Sequence, residues 1–302
     1  MKEEAVYKKQ VALLLRVLPE VAGEKRFALH GGTAINLFVR DLPRLSVDID
    51  LTYVPVEDRD ASLANIGSAL EGIRARIERV IPEVRVEDHR DKGKLLISQA
   101  GADVKLEVNL VKRGTLQEPV EMPLCGRAQE AFDAFCVIPV VPFGQLYGGK
   151  ICAALDRQHP RDLFDVKYLL ENEGFSEPVK TGFLLCLAGS DRPLHEVIDP
   201  NLLDQRAALE NQFSGMSEEI FSYAEYERVR EKLIETIHWS LTAEDKRFLL
   251  SVKALQPDWS VYDFARFPAV NWKLRNLKKL KESNPDKYHR QYESLEKTLN
   301  SF

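Results

Sequence analysis

The stretch at residues 44–51, RLSVDIDL, alternates apolar and polar side chains as a half-buried β-strand does. Successive side chains of a strand point to opposite faces, so Ser46, Asp48 and Asp50 share the polar face. Two carboxylates on one face repel each other, and burial increases this cost. A fold that keeps them together therefore needs a positive charge that offsets the repulsion.

A divalent cation is the first candidate for that charge. Asp48 and Asp50 lie at positions i and i+2, about 6.5–7 Å apart along a strand. This spacing suits two carboxylates that converge on one or two ions, and oxygen ligands of this kind select Mg²⁺ or Mn²⁺. Paired ions of this type serve phosphoryl or nucleotidyl transfer. The alternative is a solvent-facing strand edge whose acids provide solubility.

Length, composition and charge narrow the classes of protein to which the chain can belong. The 302 residues suffice for a sizeable core and predict two domains, and the composition is that of a soluble globular protein. A net charge of −5 argues against non-specific coating of nucleic acid, so a polyanion site would be a local patch. The charged start and the lack of an apolar run near ~20 residues predict a cytoplasmic protein without a membrane span. The four irregularly spaced cysteines predict reduced, buried thiols and no zinc site.

Hydrophobic periodicity predicts strands and helices in the first part of the chain and mainly helices after Phe175. Strands are expected at 27–29, 45–51, 84–87, 94–98 and 104–111. Helices are expected at 3–20, 33–39, 58–80, 144–155 and from 160 onward. We therefore predict one domain at 1–175 and a helical domain at 176–302.

Two features upstream and downstream of the aspartates extend the candidate site. Gly31-Gly32 precedes a helix that Thr33 can cap, and backbone N–H groups there can approach a triphosphate with the help of the helix dipole. A tight turn is the alternative for the glycines. Glu107 lies on the polar face of a later strand and would complete a three-carboxylate cluster if that strand lies beside 45–51. Otherwise it is an exposed strand acid.

A third feature is the segment GKICAALDRQHPRDLFDVKYLL. Lys150 and Arg157 lie on roughly one face of a predicted helix, and Asp162 and Asp165 are i, i+3 neighbours on the next. A lysine and arginines near a metal-bound triphosphate would neutralise it. The alternative is an intramolecular salt-bridge network that fastens two helices together.

Together these pieces resemble the AbiEii/AbiGii toxin family of bacterial nucleotidyltransferase-like proteins. The resemblance rests on GGTAINL, RLSVDIDL, KLEVNLV, GKICAALDR, RDLFDVKYLL and a late segment that ends in NWKLRNLKKL. It implies an α+β fold, with a polymerase-β-type core of a mixed sheet flanked by helices and a helical C-terminal domain. In place of the superfamily's Gly-Ser, this chain has Gly32-Thr33, and the threonine keeps a hydroxyl that would contact the phosphates of the nucleotide.

The resemblance also implies the roles of individual residues. Its Gly-Ser…D-x-D motif falls on Gly31, Gly32, Ser46, Asp48 and Asp50. Asp48 and Asp50 would hold the metal, with Glu107 as a possible third acid. Its second motif supplies Lys150 and the R-D-x-x-D motif supplies Arg161, Asp162 and Asp165. Lys150, Arg157 and Arg161 would contact phosphates, whereas Asp162 and Asp165 would position those cations or transfer a proton.

Members of this family are toxins of toxin–antitoxin pairs, and some add nucleotides from an NTP to the 3′ end of tRNA. We therefore expect a metal-dependent transferase with a cognate antitoxin encoded alongside. Two other functions stay open: transfer to a protein or small molecule, and NTP binding without transfer. The basic segment 273–290 would either receive an RNA backbone or form an amphipathic helix that packs on the core.

Overall fold

The computed structural model describes residues 2–302, with side chains from residue 4 onward. Within this range the chain divides into two compact units. The first comprises the chain up to Pro142 together with Asn211–Ile220, and the second comprises Phe143–Glu210 and Phe221–Phe302. The mixed α+β fold that the sequence predicts is confirmed.

The first unit contains the strands and the N-terminal helices. Its strands are β1 Phe27–His30, β2 Asp48–Tyr53, β3 Arg85–His89, β4 Lys94–Gln99, β5 Ala102–Val108, β6 Val120–Pro123 and β7 Val137–Val140. Its helices are α1 Lys2–Ala22, α2 Gly31–Ala34, α3 Arg59–Val80 and α4 Gly126–Phe132. A wider, π-type turn at Ile35–Val39 continues α2.

The strands form one mixed sheet in the order β3-β4-β5-β2-β1-β7-β6. Strand β2 lies at its centre, antiparallel to β1 and parallel to β5. The apolar side chains of β2, such as Ile49 and Leu51, are buried, as the alternation at 45–51 predicts. The sheet therefore directs the polar side chains of β2 and β5 to one shared face.

The second unit is helical. Its elements are α5 Phe143–Arg157, α6 Pro160–Asn172, α7 Glu177–Ala188, α8 Leu194–Ile198, α9 Arg206–Gln212, α10 Tyr223–Ser240, α11 Ala243–Lys253, α12 Pro268–Ser283 and α13 Pro285–Asn300. Helix α9 ends within the Asn211–Ile220 segment of the first unit. In residues 2–302 no helix is long and apolar enough to cross a membrane.

The N-terminal segment of the first unit ends at Pro142, and the domains predicted at 1–175 and 176–302 stay a prediction. Within the second unit α5 and α7 make a close contact, where a methyl group at Gly148 would overlap the backbone of Gly182. Helices that approach this closely share one core, so α5 and α6 belong with the C-terminal helices. Residues 211–220 belong to the first unit instead. The backbone N–H of Leu45 donates a 2.6 Å hydrogen bond to the carbonyl oxygen of Met216, which connects this segment to the first unit.

Most predicted elements have the expected type, and their ends differ by a few residues. Strand β2 begins at Asp48, three residues after the start of the alternating pattern. The segment before α5 contains β7, which pairs with β1 and β6 and places Pro139 opposite Glu121. The basic C-terminal segment forms two helices, because the break at Asn284-Pro285 separates α12 from α13.

Candidate functional site

The two aspartates of β2 lie half-buried on the polar face of the central strand. Asp50 is the Cα partner of His30 on β1 and of Glu107 on β5, and Asp48 is the partner of Lys105. Because paired residues of adjacent strands point to the same face, these polar side chains lie side by side. The predicted neighbourhood of β2 and β5 is thus present in the first unit.

Gly31 brings the start of α2 directly against Asp50. Its φ of +73° is in the left-handed region that favours glycine. A β-carbon at Gly31 would overlap Asp50 Oδ2 and lie 3.2 Å from Asp50 Cγ. Only a residue without a side chain therefore fits between the backbone turn and this carboxylate.

Gly32 makes a second close approach, to the segment that leads into β2. A β-carbon there would lie 2.8 Å from an Nη atom of Arg44 and 2.9 Å from Ser46 Oγ. Both side chains are buried, and Arg44 also donates to the carbonyl of Leu45 over 2.9 Å. The glycine pair thus accommodates a carboxylate at one residue and a guanidinium and a hydroxyl at the next.

Thr33 fastens α2 to the strand. Its fully buried hydroxyl donates to the carbonyl oxygen of Asp48 at 2.5 Å and hydrogen-bonds the Ser46 hydroxyl at 3.0 Å. The threonine that replaces the superfamily's serine therefore keeps a hydroxyl contact, and the partner is the backbone of the D-x-D strand. Its predicted contact with nucleotide stays a prediction.

Glu107 is held between two lysines. Lys94 Nζ lies 3.0 Å from Glu107 Oε1, and Lys105 Nζ lies 2.9 Å from Oε2. Partial burial opposes ionisation of Glu107, but the hydrogen bonds from Lys105 and Lys94 outweigh it and lower the pKa of the carboxyl. Burial likewise opposes the charge of Lys105, but Glu107, Asp48 and Asp50 together raise the pKa of this amine.

Lys94 and Lys105 occupy both oxygens of the acid that was predicted to complete a three-carboxylate cluster. Among the residues that the structure describes, no group of three His, Cys, Asp or Glu side chains is arranged to hold a metal ion. The two aspartates share a face, whereas both oxygens of Glu107 have cationic partners. A metal that also used Glu107 would have to displace a lysine, so its place as third acid stays a prediction.

In the second unit, Lys150 of α5 is bound by both aspartates of the R-D-x-x-D motif. Its Nζ lies 2.9 Å from Asp162 Oδ1 and 3.0 Å from Asp165 Oδ2, with all three side chains buried. Arg157 adds a bidentate contact to Asp162, at 2.5 and 3.0 Å. The network joins α5 to α6, which is the structural alternative that the sequence left open.

The cations of this network set the charge state of Asp162. Burial opposes its ionisation, but Lys150 and Arg157 outweigh the burial and hold the pKa of this carboxyl well below its ordinary value. Arg157 is 61% exposed in its side chain, so part of its guanidinium stays accessible. Arg161 lies at the start of α6, where its backbone N–H donates to His159 Nδ1 over 3.1 Å.

The basic C-terminal segment is partly a packing surface. Lys273, Leu277 and Tyr288 are buried, whereas Trp272 is 44% exposed. One face of α12 and α13 therefore packs on the core, as one of the two interpretations of this segment predicts. Contact between RNA and the exposed face stays a prediction. All four cysteines are free thiols, of which Cys136 and Cys152 are buried and the others half-buried.

The sequence did not identify Arg44, Lys94 and Lys105 as neighbours of the site. Arg44 is the first residue of the RLSVDIDL motif, two residues before Ser46 and directly after Pro43. Lys105 and Lys94 lie on polar faces of alternating strands, but their convergence on Glu107 depends on strand register. Alternation gives the face of a residue, and only pairing gives its partner.

Comparisons with known proteins identify the family and the fold. The family model of the nucleotidyl transferase AbiEii toxin, type IV toxin–antitoxin system, matches residues 12–276. The fold resembles that of MenT4, a nucleotidyltransferase toxin from Mycobacterium tuberculosis H37Rv, with a TM-score of 0.57 and 16% identity over 91% of this chain and 93% of that chain. No curated protein matches the sequence. The chain belongs to the AbiEii family of nucleotidyltransferase toxins of type IV toxin–antitoxin systems.

Proposed function

We propose that this enzyme is a metal-dependent nucleotidyltransferase that transfers a nucleotide from an NTP to the 3′ end of tRNA. One observation carries the proposal: the Gly31 backbone lies directly against the Asp50 carboxylate, so a glycine turn and a D-x-D pair adjoin in one unit. A triphosphate site and a metal site have to adjoin in this way, because the metal binds the phosphates that the turn receives.

The turn supplies donors for the triphosphate. The backbone N–H groups at Gly31, Gly32 and Thr33 begin the helical segment and are not used by a preceding turn of helix. Ser46 lies beside Gly32, and the Arg44 guanidinium adds positive charge at the same place. These groups would bind and orient the NTP, with the hydroxyl of Thr33 holding α2 on the strand.

The oxygen ligands of Asp48 and Asp50 fit a hard divalent cation, Mg²⁺ or Mn²⁺. When bound, the cation would neutralise the phosphates and the two aspartates and polarise the reacting oxygens. Asp48 and Asp50 would hold it, and Glu107 would join them as the third acid after it leaves Lys94 or Lys105. The position of Glu107 as the Cα partner of Asp50 supports this choice.

The reaction itself replaces a phosphoanhydride bond of the NTP with a phosphodiester bond. A hydroxyl oxygen of the terminal ribose bonds to the α-phosphorus of the NTP, the bond from that phosphorus to the bridging oxygen breaks, and pyrophosphate leaves. The hydroxyl proton passes to a carboxylate of the site. Catalysis of this kind depends mainly on positioning and charge stabilisation, which half-buried, fixed side chains provide.

The cation network of the second unit would steady phosphates. Arg157 is the best candidate, because Asp162 fixes its guanidinium while most of its side chain stays exposed. Lys150 is enclosed by Asp162 and Asp165 and would act by positioning α6, which carries Arg161. The family implies an antitoxin partner, and we propose that it is encoded beside this chain.

The experiment that tests the proposal incubates the protein with Mg²⁺, each of four α-³²P-labelled NTPs, total tRNA and total cell protein. We expect label on tRNA that removal of the 3′-terminal nucleotide releases. Asp48→Asn should abolish labelling, while Asp60→Asn, a change at a surface aspartate that is almost fully exposed, should leave it intact.

Two results would contradict the proposal. Label in a protein band or a small molecule, with none in RNA, would move the acceptor to a different class. Toxicity that survives loss of both Asp48 and Asp50 would indicate a protein that binds nucleotide and acts without transfer.

A further inference from the structure

The helical unit contains a cavity of about 240 Å³ that the proposed transfer chemistry does not use. Residues of α8, α11, α12 and α13 line it, all within the second unit. Leu194, Leu277 and Leu295 form apolar parts of the wall and are buried. A volume of this size has room for a small ion with a few waters.

Two buried lysines face this cavity. Lys273 of α12 donates to the carbonyl oxygens of Ser190 and Arg192, at 2.7 and 2.5 Å. Lys253 at the end of α11 donates to Gln291 Oε1 at 2.9 Å, and its ammonium lies 4.6 Å from the ring centroid of Tyr288. All of these partners are neutral, and no carboxylate of the described chain forms an ion pair with either lysine.

Two buried cations without an anionic partner are costly. Burial lowers the pKa of Lys253 to about 8, and burial together with Lys253 lowers that of Lys273 to about 8. Both amines therefore stay mostly protonated at neutral pH. Each ammonium has three N–H donors, so at least one donor on each remains after the protein contacts.

The mouth of the cavity adds further donors. Lys287 and Asn276 are exposed residues of α13 and α12 that line it, and Gln291 contributes a side-chain amide. Asp191 also lines the cavity and is exposed. Three lysines and one aspartate leave an excess of positive charge, which selects an anion.

We propose that this cavity is a phosphate-binding site, occupied by a free phosphate ion or by the terminal phosphate of a larger molecule. A phosphate offers several acceptor oxygens to donors that converge from three helices and carries the two negative charges that offset Lys253 and Lys273. A phosphodiester inside an RNA chain does not fit, because Lys253 and Lys273 are buried and the flanking nucleotides would have to enter the cavity with it.

The test is titration calorimetry of the full chain with inorganic phosphate, in EDTA so that metal-dependent binding of phosphates elsewhere is absent. We expect millimolar or tighter binding at one site and at least a tenfold loss of affinity in Lys253→Met/Lys273→Met. The matched control, Lys278→Met/Lys279→Met, changes two exposed lysines of α12, the helix that carries Lys273, and should bind phosphate as the wild type does. Lys287→Glu leaves the buried groups untouched and should weaken binding about threefold to tenfold.

Acetylation followed by mass spectrometry locates the site. Phosphate should slow modification of Lys253, Lys273 and Lys287 and leave Lys278 unaffected. An oligonucleotide with a 5′-phosphate that protects as well as phosphate, when its 5′-hydroxyl counterpart does not, would identify a terminal phosphate as the ligand. Protection by phosphate alone would identify the free ion. Unchanged affinity in both Lys253→Met/Lys273→Met and Lys287→Glu, or no protection of the three lysines, would overturn the proposal.

Discussion

Gly31 and Asp50 lie so close together that a single methyl group on Gly31 would overlap the carboxylate of Asp50. Gly31 begins α2 and Asp50 lies in β2, so the contact fixes the distance between the glycine turn and the D-x-D strand. The two sequence motifs thus meet through a backbone contact, and each depends on the other for its geometry.

The contact predicts that Gly31→Ala loses both stability and transfer activity. A left-handed φ costs alanine about 1–2 kcal/mol, and the collision with Asp50 should cost about 1–3 kcal/mol more. Gly101→Ala is the matched control, because Gly101 has a φ of +77° and open space around its would-be β-carbon. Urea unfolding and the transfer assay measure both variants. Equal losses of stability, with activity kept in Gly31→Ala, would contradict the contact.

Substitutions at Thr33 separate the contribution of its hydroxyl from that of its methyl group. Thr33→Val keeps the shape but leaves the Asp48 carbonyl and the Ser46 hydroxyl without this partner, which should cost about 1–3 kcal/mol. Thr33→Ser keeps the hydroxyl and should retain most of the transfer rate. The free energy of unfolding and the initial rate of transfer are the measurements. A valine variant as active as wild type would show that the hydrogen bond does not position the strand.

The buried network in the second unit predicts that substitutions of two aspartates change the free energy of unfolding by different amounts. Asp162→Asn removes a carboxylate that Lys150 and Arg157 share and should destabilise the protein by about 3 kcal/mol. Asp156→Asn breaks only the partly exposed ion pair with Arg192 and should change the free energy of unfolding by less than about 1 kcal/mol. Similar values for the two variants in urea unfolding would argue against a structural role for the network.

The same carboxylate predicts a dependence of stability on pH. Because the folded pKa of Asp162 is depressed, its contribution is fully present above the unfolded value near 4 and is lost as pH falls through the lower, folded value. The difference in free energy of unfolding between wild type and Asp162→Asn should therefore stay constant from pH 7 to pH 5 and shrink below about pH 4. A difference that is independent of pH down to acid unfolding would contradict the assignment.

Sequence patterns predicted the alternation at β2 and the shared face of Asp48 and Asp50, because strand periodicity determines which face a residue occupies. They placed Glu107 beside that face only on the condition that its strand pairs with 45–51, which the register of β5 against β2 supplies. They did not predict the pairing of Glu107 with Lys94, since register across β4 and β5 is a long-range property. The packing of α5 against α7 also depends on a long-range contact. Gly144 and Gly148, one helical turn apart, were the available sign that another helix approaches closely.

Glu107 gives a prediction about the metal itself. If it becomes the third ligand, Glu107→Gln should weaken Mn²⁺ binding, and Lys105→Met should strengthen it roughly threefold to tenfold because a competing cation is removed. Electron paramagnetic resonance titration of free Mn²⁺ measures both. Unchanged Mn²⁺ affinity in Glu107→Gln would show that Glu107 serves only the lysines and that Asp48 and Asp50 hold the metal without it.

The central claim is that the face shared by Asp48 and Asp50 transfers a nucleotide. The most direct measurement supplies one NTP labelled at either the α- or the γ-phosphate and compares wild type, Asp48→Asn and Asp50→Asn, each confirmed as folded by circular dichroism. We predict that only the α-label enters the acceptor, and that each variant lowers the rate by at least about 100-fold. Transfer of the γ-label, or α-label transfer at the wild-type rate in either variant, would contradict the account.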